Sequence, residues 1–129
     1  MRIWVNGCFD VLHIGHISLL EYAKTLGHVL VGVDSDERVK QLKGNDRPIN
    51  PIEYRVKMLE SLKFVDDIII FNTDTDLTDI LYLYQPDVIV IGDEYKSKNI
   101  IGSEQAKRID FFEKKYDIST TTILNNKNK

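Results

Sequence analysis

The stretch NGCFDVLHIGHISLL, Asn6 to Leu20, sets two imidazoles, His13 and His16, on either side of Gly15, between an apolar run and a helical pattern. Side chains three apart on a helix are one turn from each other and could donate to one anion. The open N–H groups of a helix start attract phosphate by themselves. Gly7 and Gly15 fall where backbone must turn tightly or approach a ligand closely. A plainer reading makes His13 a helix cap and His16 a packed ring. Phosphate chemistry is favoured over it because several local features agree on one site.

These residues need elements to hold them. RIWV, VLVGV, DDIIIF and DVIVI are four strand candidates rich in Val and Ile, three of them almost continuously apolar, as strands covered on both faces are. RIDFF, Arg108 to Phe112, is a fifth, set between charges. Helical patterns alternate with them. HISLLEYAKTLG turns Ile17, Leu20 and Ala23 inward with Lys24 opposite and stops at Gly27. DSDERVKQL starts from Ser35 or Asp36, and NPIEYRVKMLESLK from Asn50 as cap with Pro51 in the first helical position. DTDLTDILYLYQ precedes Pro86, and a last helix is expected from Ser119. Alternation of this kind predicts a Rossmann-like three-layer α/β/α domain with a mainly parallel sheet of about five strands. Ligands of such sheets bind outside the carboxyl ends of the strands, where Asn6 to His16 leave the first one.

Composition excludes several functions. A chain of 129 residues is expected to form one domain over 1–129. Its net charge of -3 argues against a nucleic-acid or membrane surface as main partner. It has no apolar run of bilayer length, no cleavable apolar segment at its start, and one cysteine, Cys8, so a reducing cytoplasm is the expected location.

GCFDVLHIGH matches the GxFDxxHxGH signature of the cytidylyltransferase-like nucleotidyltransferases, and ISTTTI, from Ile118, resembles their second signature, in the expected order and distance. VGVDSDERVKQLKGNDRPINPIEYR is similar to a segment of the adenylyltransferase domain of ADP-heptose synthases. Glycerol-3-phosphate cytidylyltransferases are a second group of relatives. The resemblance implies transfer of a nucleotidyl group from an NTP, ATP favoured over CTP, to a phosphorylated sugar or polyol resembling heptose 1-phosphate, with release of pyrophosphate. A nucleotide-binding module without turnover is the alternative from another class.

The same resemblance implies roles. His13 and His16 contact the triphosphate and stabilise the transition state, with Gly7, Cys8, Phe9 and Gly15 against the nucleotide. Asp10 orients the loop or accepts a hydroxyl of the acceptor. Lys43 acts in catalysis by holding the acceptor phosphate, Gly44 lets the loop bend, and Arg47 adds a cation; a solvated loop charge is the plainer reading of Lys43. Arg55 reaches the phosphates or is a surface helix charge. Gly92 and Asp93 meet the base or ribose. Lys114 stands where glycerol enzymes carry arginine, and Ile118, Ser119, Thr120 and Thr121 present hydroxyls and N–H groups to phosphate, though an N-cap looks the same. Cys8 replaces a threonine, and IGDEY departs from the KGGDY of the heptose enzymes. Mg²⁺ is expected on the NTP phosphates, with no resident metal site. Relatives are often homodimers, and the aromatics of LYLYQ suit such a contact or the core. His28 lies outside both motifs as a solvated side chain.

Overall fold

The computed structural model describes residues 1–113. Within them the chain runs β1 (Arg2–Gly7), α1 (Ile14–Leu26), β2 (His28–Asp34), α2 (Asp36–Lys43), α3 (Ile52–Glu60), β3 (Asp67–Phe71), α4 (Asp74–Tyr84), β4 (Val88–Gly92) and β5 (Arg108–Phe112). All five strands pair in parallel in the order β3-β2-β1-β4-β5. The order reverses direction at β1, so a crevice opens between the carboxyl ends of β1 and β4.

Side-chain alternation builds the layers. Ile3, Val5, Val29, Val31, Val33, Val88 and Val90 face one way and pack with Leu20 and Ala23 of α1 and Leu59 of α3. Trp4 and Ile89 face the other way and pack with Phe71 and with Leu77 and Leu81 of α4. The sheet is therefore covered on both faces, which is why its central strands read as continuous apolar runs. Gly32 is required by this packing: a Cβ there would lie 2.4 Å from the Trp4 indole. Lys24 stays on the polar side of α1 and pairs with Asp66 at 2.8 Å. His28 is 52 % exposed and lies 3.2 Å from Asp67.

Ser35 caps α2, its hydroxyl accepting from the Arg38 amide at 3.2 Å. The start of α3 differs from the sequence expectation. Pro51, not Asn50, is the N-cap, and the helix begins at Ile52. Asn50 is drawn away because its amide and side chain both bond to Asp10. Of the LYLYQ residues, Leu81 is buried while Tyr82 and Leu83 are exposed. No helix among the described residues is long and apolar enough to cross a membrane.

Candidate active site

A cavity of about 560 Å³ opens at the carboxyl end of the sheet, between the ends of β1, β2 and β4 and the first turn of α1. His13 and His16 both line it. They also cap the helix reciprocally: His13 Nδ1 accepts from the Gly15 amide at 3.1 Å, and His16 Nδ1 accepts from the His13 amide at 3.3 Å. The two readings of the pair are thus compatible. Capping engages Nδ1 of each ring and puts the proton of the neutral imidazole on Nε2. The rings stack with centroids 3.8 Å apart, and Phe9 lies against His16 at 5.2 Å. Burial, and then the neighbouring His13, push the pKa of His16 down to about 3. His16 is therefore a neutral donor at physiological pH.

The loop between β1 and α1 turns in an unexpected place. Phe9, not Gly7 or Gly15, adopts a left-handed φ of 49°. A bulky residue in that region is strained by about 1–3 kcal/mol and persists only when its surroundings fix it. They do so here: Phe9 is buried against His16, and the next residue is anchored. Asp10, 1 % exposed, accepts from the amides of Ile49 and Asn50 and from Arg47 Nε at 2.7 Å. Burial alone would raise its pKa, but those amides and the guanidinium outweigh it and hold the carboxyl below its usual range. The FD of the first motif and the RPIN segment thus form one unit.

Arg55 lies beneath this unit, fully buried. Its Nε donates to the Asn50 carbonyl, one terminal nitrogen to the carbonyls of Cys8 and Asp34, and the other to Asp36 Oδ1 at 2.7 Å. Neither sequence expectation for it is met. It does not line the cavity, so it is not placed to reach phosphates, and it is not a surface charge. Its geometry is that of a tie between the carboxyl ends of β1 and β2 and the starts of α2 and α3.

Cys8 lines the cavity with its thiol donating to Asp34 Oδ2 at 3.0 Å. Burial, then the Asp34 carboxylate, push the thiol pKa up to about 12. A thiolate nucleophile is thereby disfavoured. Lys43 ends α2 at the cavity, and Gly44 follows with φ 107°, a conformation that suits glycine. Among the described residues Lys43 has no carboxylate partner, whereas Arg47 is paired with Asp10 and Arg38 with Asp34 and Asp74.

Residues 4–126 match the family model described as Cytidylyltransferase-like. The chain belongs to that family. It is 49 % identical over 126 residues to the bifunctional protein HldE of a Nitratiruptor species, covering 95 % of this chain and 26 % of that protein. The HldE of Campylobacter fetus subsp. fetus is 46 % identical over 127 residues, with 95 % and 27 % covered. The chain thus spans about a quarter of the length of these curated relatives. The crystal structure of the lipopolysaccharide core biosynthesis protein from Thermoplasma volcanium superposes with a TM-score of 0.68 at 29 % identity, covering 91 % of this chain and 98 % of that one. A protein of unknown function from Archaeoglobus fulgidus shares the fold, with a TM-score of 0.60 at 21 % identity, covering 91 % of this chain and 90 % of that one.

In this cytidylyltransferase-like chain the cavity gathers Gly7, Cys8, Phe9, Asp10, His13, Gly15, His16, Lys43, Arg47 and Gly92. Asp93 does not line it; Glu94 and Tyr95, in the 3₁₀ turn after β4, do. Asp34 and Arg38 are cavity residues that motif reading passes over. Asp34 ends β2 at the sheet's carboxyl edge, and that position is the signal that marks it. Lys114, Ile118, Ser119, Thr120, Thr121 and the helix expected from Ser119 lie outside the described residues. Among the described residues no three His, Cys, Asp or Glu side chains group to hold a metal ion.

Acid should destabilise this cytidylyltransferase-like domain in a defined window. His16 in the unfolded chain protonates near 6.5 and in the fold only near 3, so between those values the unfolded state binds the extra proton. Stability is then full above pH 6.5 and falls on acidification by up to about 1.4 kcal/mol per pH unit. Asp10 adds a second loss below the ordinary carboxylate range, because its folded pKa is lowered. Nitrogen-detected NMR should show His16 as the Nε2–H tautomer with no titration from about pH 8 to 5; a midpoint near 6.5 would contradict this.

Proposed function

We propose that this domain is a nucleotidyltransferase that moves a nucleotidyl group, adenylyl in the favoured reading, from an NTP to a phosphorylated sugar of the heptose 1-phosphate kind. The observation that carries the reading is one cavity holding two stacked imidazoles at a helix N-terminus together with Lys43, which has no carboxylate partner among the described residues. An acceptor phosphate oxygen attacks the α-phosphorus in line. The new P–O bond forms as the bond from that phosphorus to the bridging oxygen breaks, and the electron pair leaves with pyrophosphate. His13 and His16, with the N–H groups of α1, stabilise charge developing on the α-phosphate, while Lys43 holds the acceptor phosphate. The protein's task is alignment and electrostatic preorganisation, with no covalent intermediate, which suits an inert Cys8.

The adenylyl preference is supported by the KGNDRPINP segment, similar to the heptose adenylyltransferases, and by the HldE relatives. Mg²⁺ carried by the triphosphate would supply charge neutralisation there. By the resemblance of their motif, Ser119, Thr120 and Thr121 would supply further donors to the phosphates. The reaction belongs where NTPs are supplied, in the cytoplasm.

Pyrophosphate release with each of four NTPs, against heptose 1-phosphate and glycerol 3-phosphate, tests the assignment. ATP with heptose 1-phosphate should give the highest turnover. CTP exceeding ATP would overturn the adenylyl reading, since a hydrogen-bonding base pocket discriminates by several powers of ten. No release with any pair would overturn the enzyme reading. Lys43→Ala should raise the acceptor KM by about 10- to 100-fold and leave calorimetric NTP affinity unchanged, because only the acceptor loses a charge-assisted contact. Equal loss for both substrates would displace Lys43 from that role.

A further inference from the structure

Two buried carboxylates line the cavity, and their oxygens are unequally occupied. A carboxylate offers about four acceptor positions. Asp10 is the more fully occupied: three strong donors share its two oxygens, the Asn50 amide on Oδ1 at 2.9 Å, Arg47 Nε on Oδ2 at 2.7 Å, and the Ile49 amide split between them at 2.9 and 3.0 Å. Both of its oxygens are thus taken by strong donors. Asp34 differs. Its Oδ1 accepts from Arg38 Nε at 3.0 Å, and among the described residues its Oδ2 accepts only from the Cys8 thiol. A thiol is a weak donor, so Oδ2 can take a stronger one in addition or in exchange.

The surroundings fix how Asp34 is presented. Arg38 reaches Asp74 at 2.7 Å with a second nitrogen and lies over the Phe71 ring at 5.1 Å, so the guanidinium beside Asp34 is itself held. Lys43, at the far end of α2, lines the same cavity, and the Cys8 thiol feels both its charge and that of Asp34. Around Cys8 the cavity therefore offers one buried acceptor and one ammonium that has no carboxylate partner among the described residues.

We infer that Asp34 is a specificity residue for the acceptor, its carboxylate accepting a hydroxyl of a polyhydroxylated phosphate ester whose phosphate Lys43 holds. The hydroxyl-accepting role that the sequence suggests for Asp10 thus passes to Asp34. This rests on the nucleotidyl-transfer reading above and names the acceptor chemistry: one phosphate, and at least one neutral hydroxyl at Asp34. A second anionic group in that place meets a carboxylate and is rejected. Arg38 is a positioning residue for it.

The test measures pyrophosphate release by wild type and Asp34→Asn with heptose 1-phosphate, its monodeoxy analogues and a heptose bisphosphate, together with calorimetric NTP binding. In the variant, Arg38 claims the side-chain oxygen and the amide nitrogen faces the cavity, a donor where an acceptor stood. The acceptor KM should rise about 10- to 100-fold, kcat should change little, and NTP affinity should stay as in wild type. One monodeoxy analogue should bind both proteins equally, and the bisphosphate should be discriminated against less by the variant. Should the variant fail to fold, wild type alone must still lose about tenfold or more in KM for one monodeoxy analogue. An unchanged acceptor KM, a penalty equal across all analogues, or a matching loss of NTP affinity would overturn the inference. Wild type inactive with every acceptor would overturn the transferase reading itself and the inference with it.

Discussion

Replacement of His16 by alanine is expected to lower kcat by about 10²- to 10³-fold while NTP affinity falls far less. A donor aimed at charge that develops only in the transition state stabilises that state selectively, and removing one such donor has this size of effect. His16 fits the description because its Nδ1 is engaged by the His13 amide, its pKa is about 3, and it lines the cavity. In the proposed reaction it would act as a neutral N–H group and not as a cation. His16→Phe separates this role from packing: the ring against Phe9 and His13 remains and the donor is gone. Steady-state kinetics of both variants, checked for folding by circular dichroism, should show Phe no better than Ala. A folded His16→Phe with near-normal kcat would remove His16 from the chemistry.

The second large effect is expected in stability. Arg55→Met should destabilise the domain by about 3–5 kcal/mol, because the carbonyls of Cys8, Asp34 and Asn50 and the Asp36 carboxylate all lose their donor at once. Asp36 is partly exposed and can be rehydrated, so most of the loss comes from the carbonyls. Arg55→Lys should recover only part of it, since an ammonium cannot reproduce a planar fork reaching four acceptors. Urea unfolding with an unchanged m-value is the measurement. A loss below about 1 kcal/mol for Arg55→Met would mean that water replaces the guanidinium and that the tie is unimportant.

Residues differ in how far their neighbours in sequence declare them. The strands are legible because a doubly covered parallel sheet demands apolar side chains on both faces, and Val29 to Val33 can be little else. The capping by the histidine pair is legible because it is a local property of one helix start. Arg55 is not. Within IEYRVKMLE it looks like any polar position, and what buries it is a set of carbonyls from Cys8, Asp34 and Asn50, which only the fold brings together. Asn50 fails as a cap for the same reason: Asp10, far earlier in the chain, competes for it and wins. Phe9 takes the left-handed turn that a glycine would adopt at less cost, and its packing against His16 and the anchoring of Asp10 beside it, neither visible in the sequence, account for the choice. Asp34 is overshadowed by the capping Ser35 beside it, although its place at the end of β2 points to the ligand side.

The central claim is that bond cleavage occurs at the α-phosphorus of the nucleotide. Incubation of the protein with heptose 1-phosphate and ATP labelled separately at the α- and γ-phosphates tests it directly. Label from the α-phosphate should enter the sugar product and label from the γ-phosphate should leave in pyrophosphate, in equal amounts. Label from the γ-phosphate in the sugar, or inorganic phosphate as the only labelled product, would contradict nucleotidyl transfer by this site.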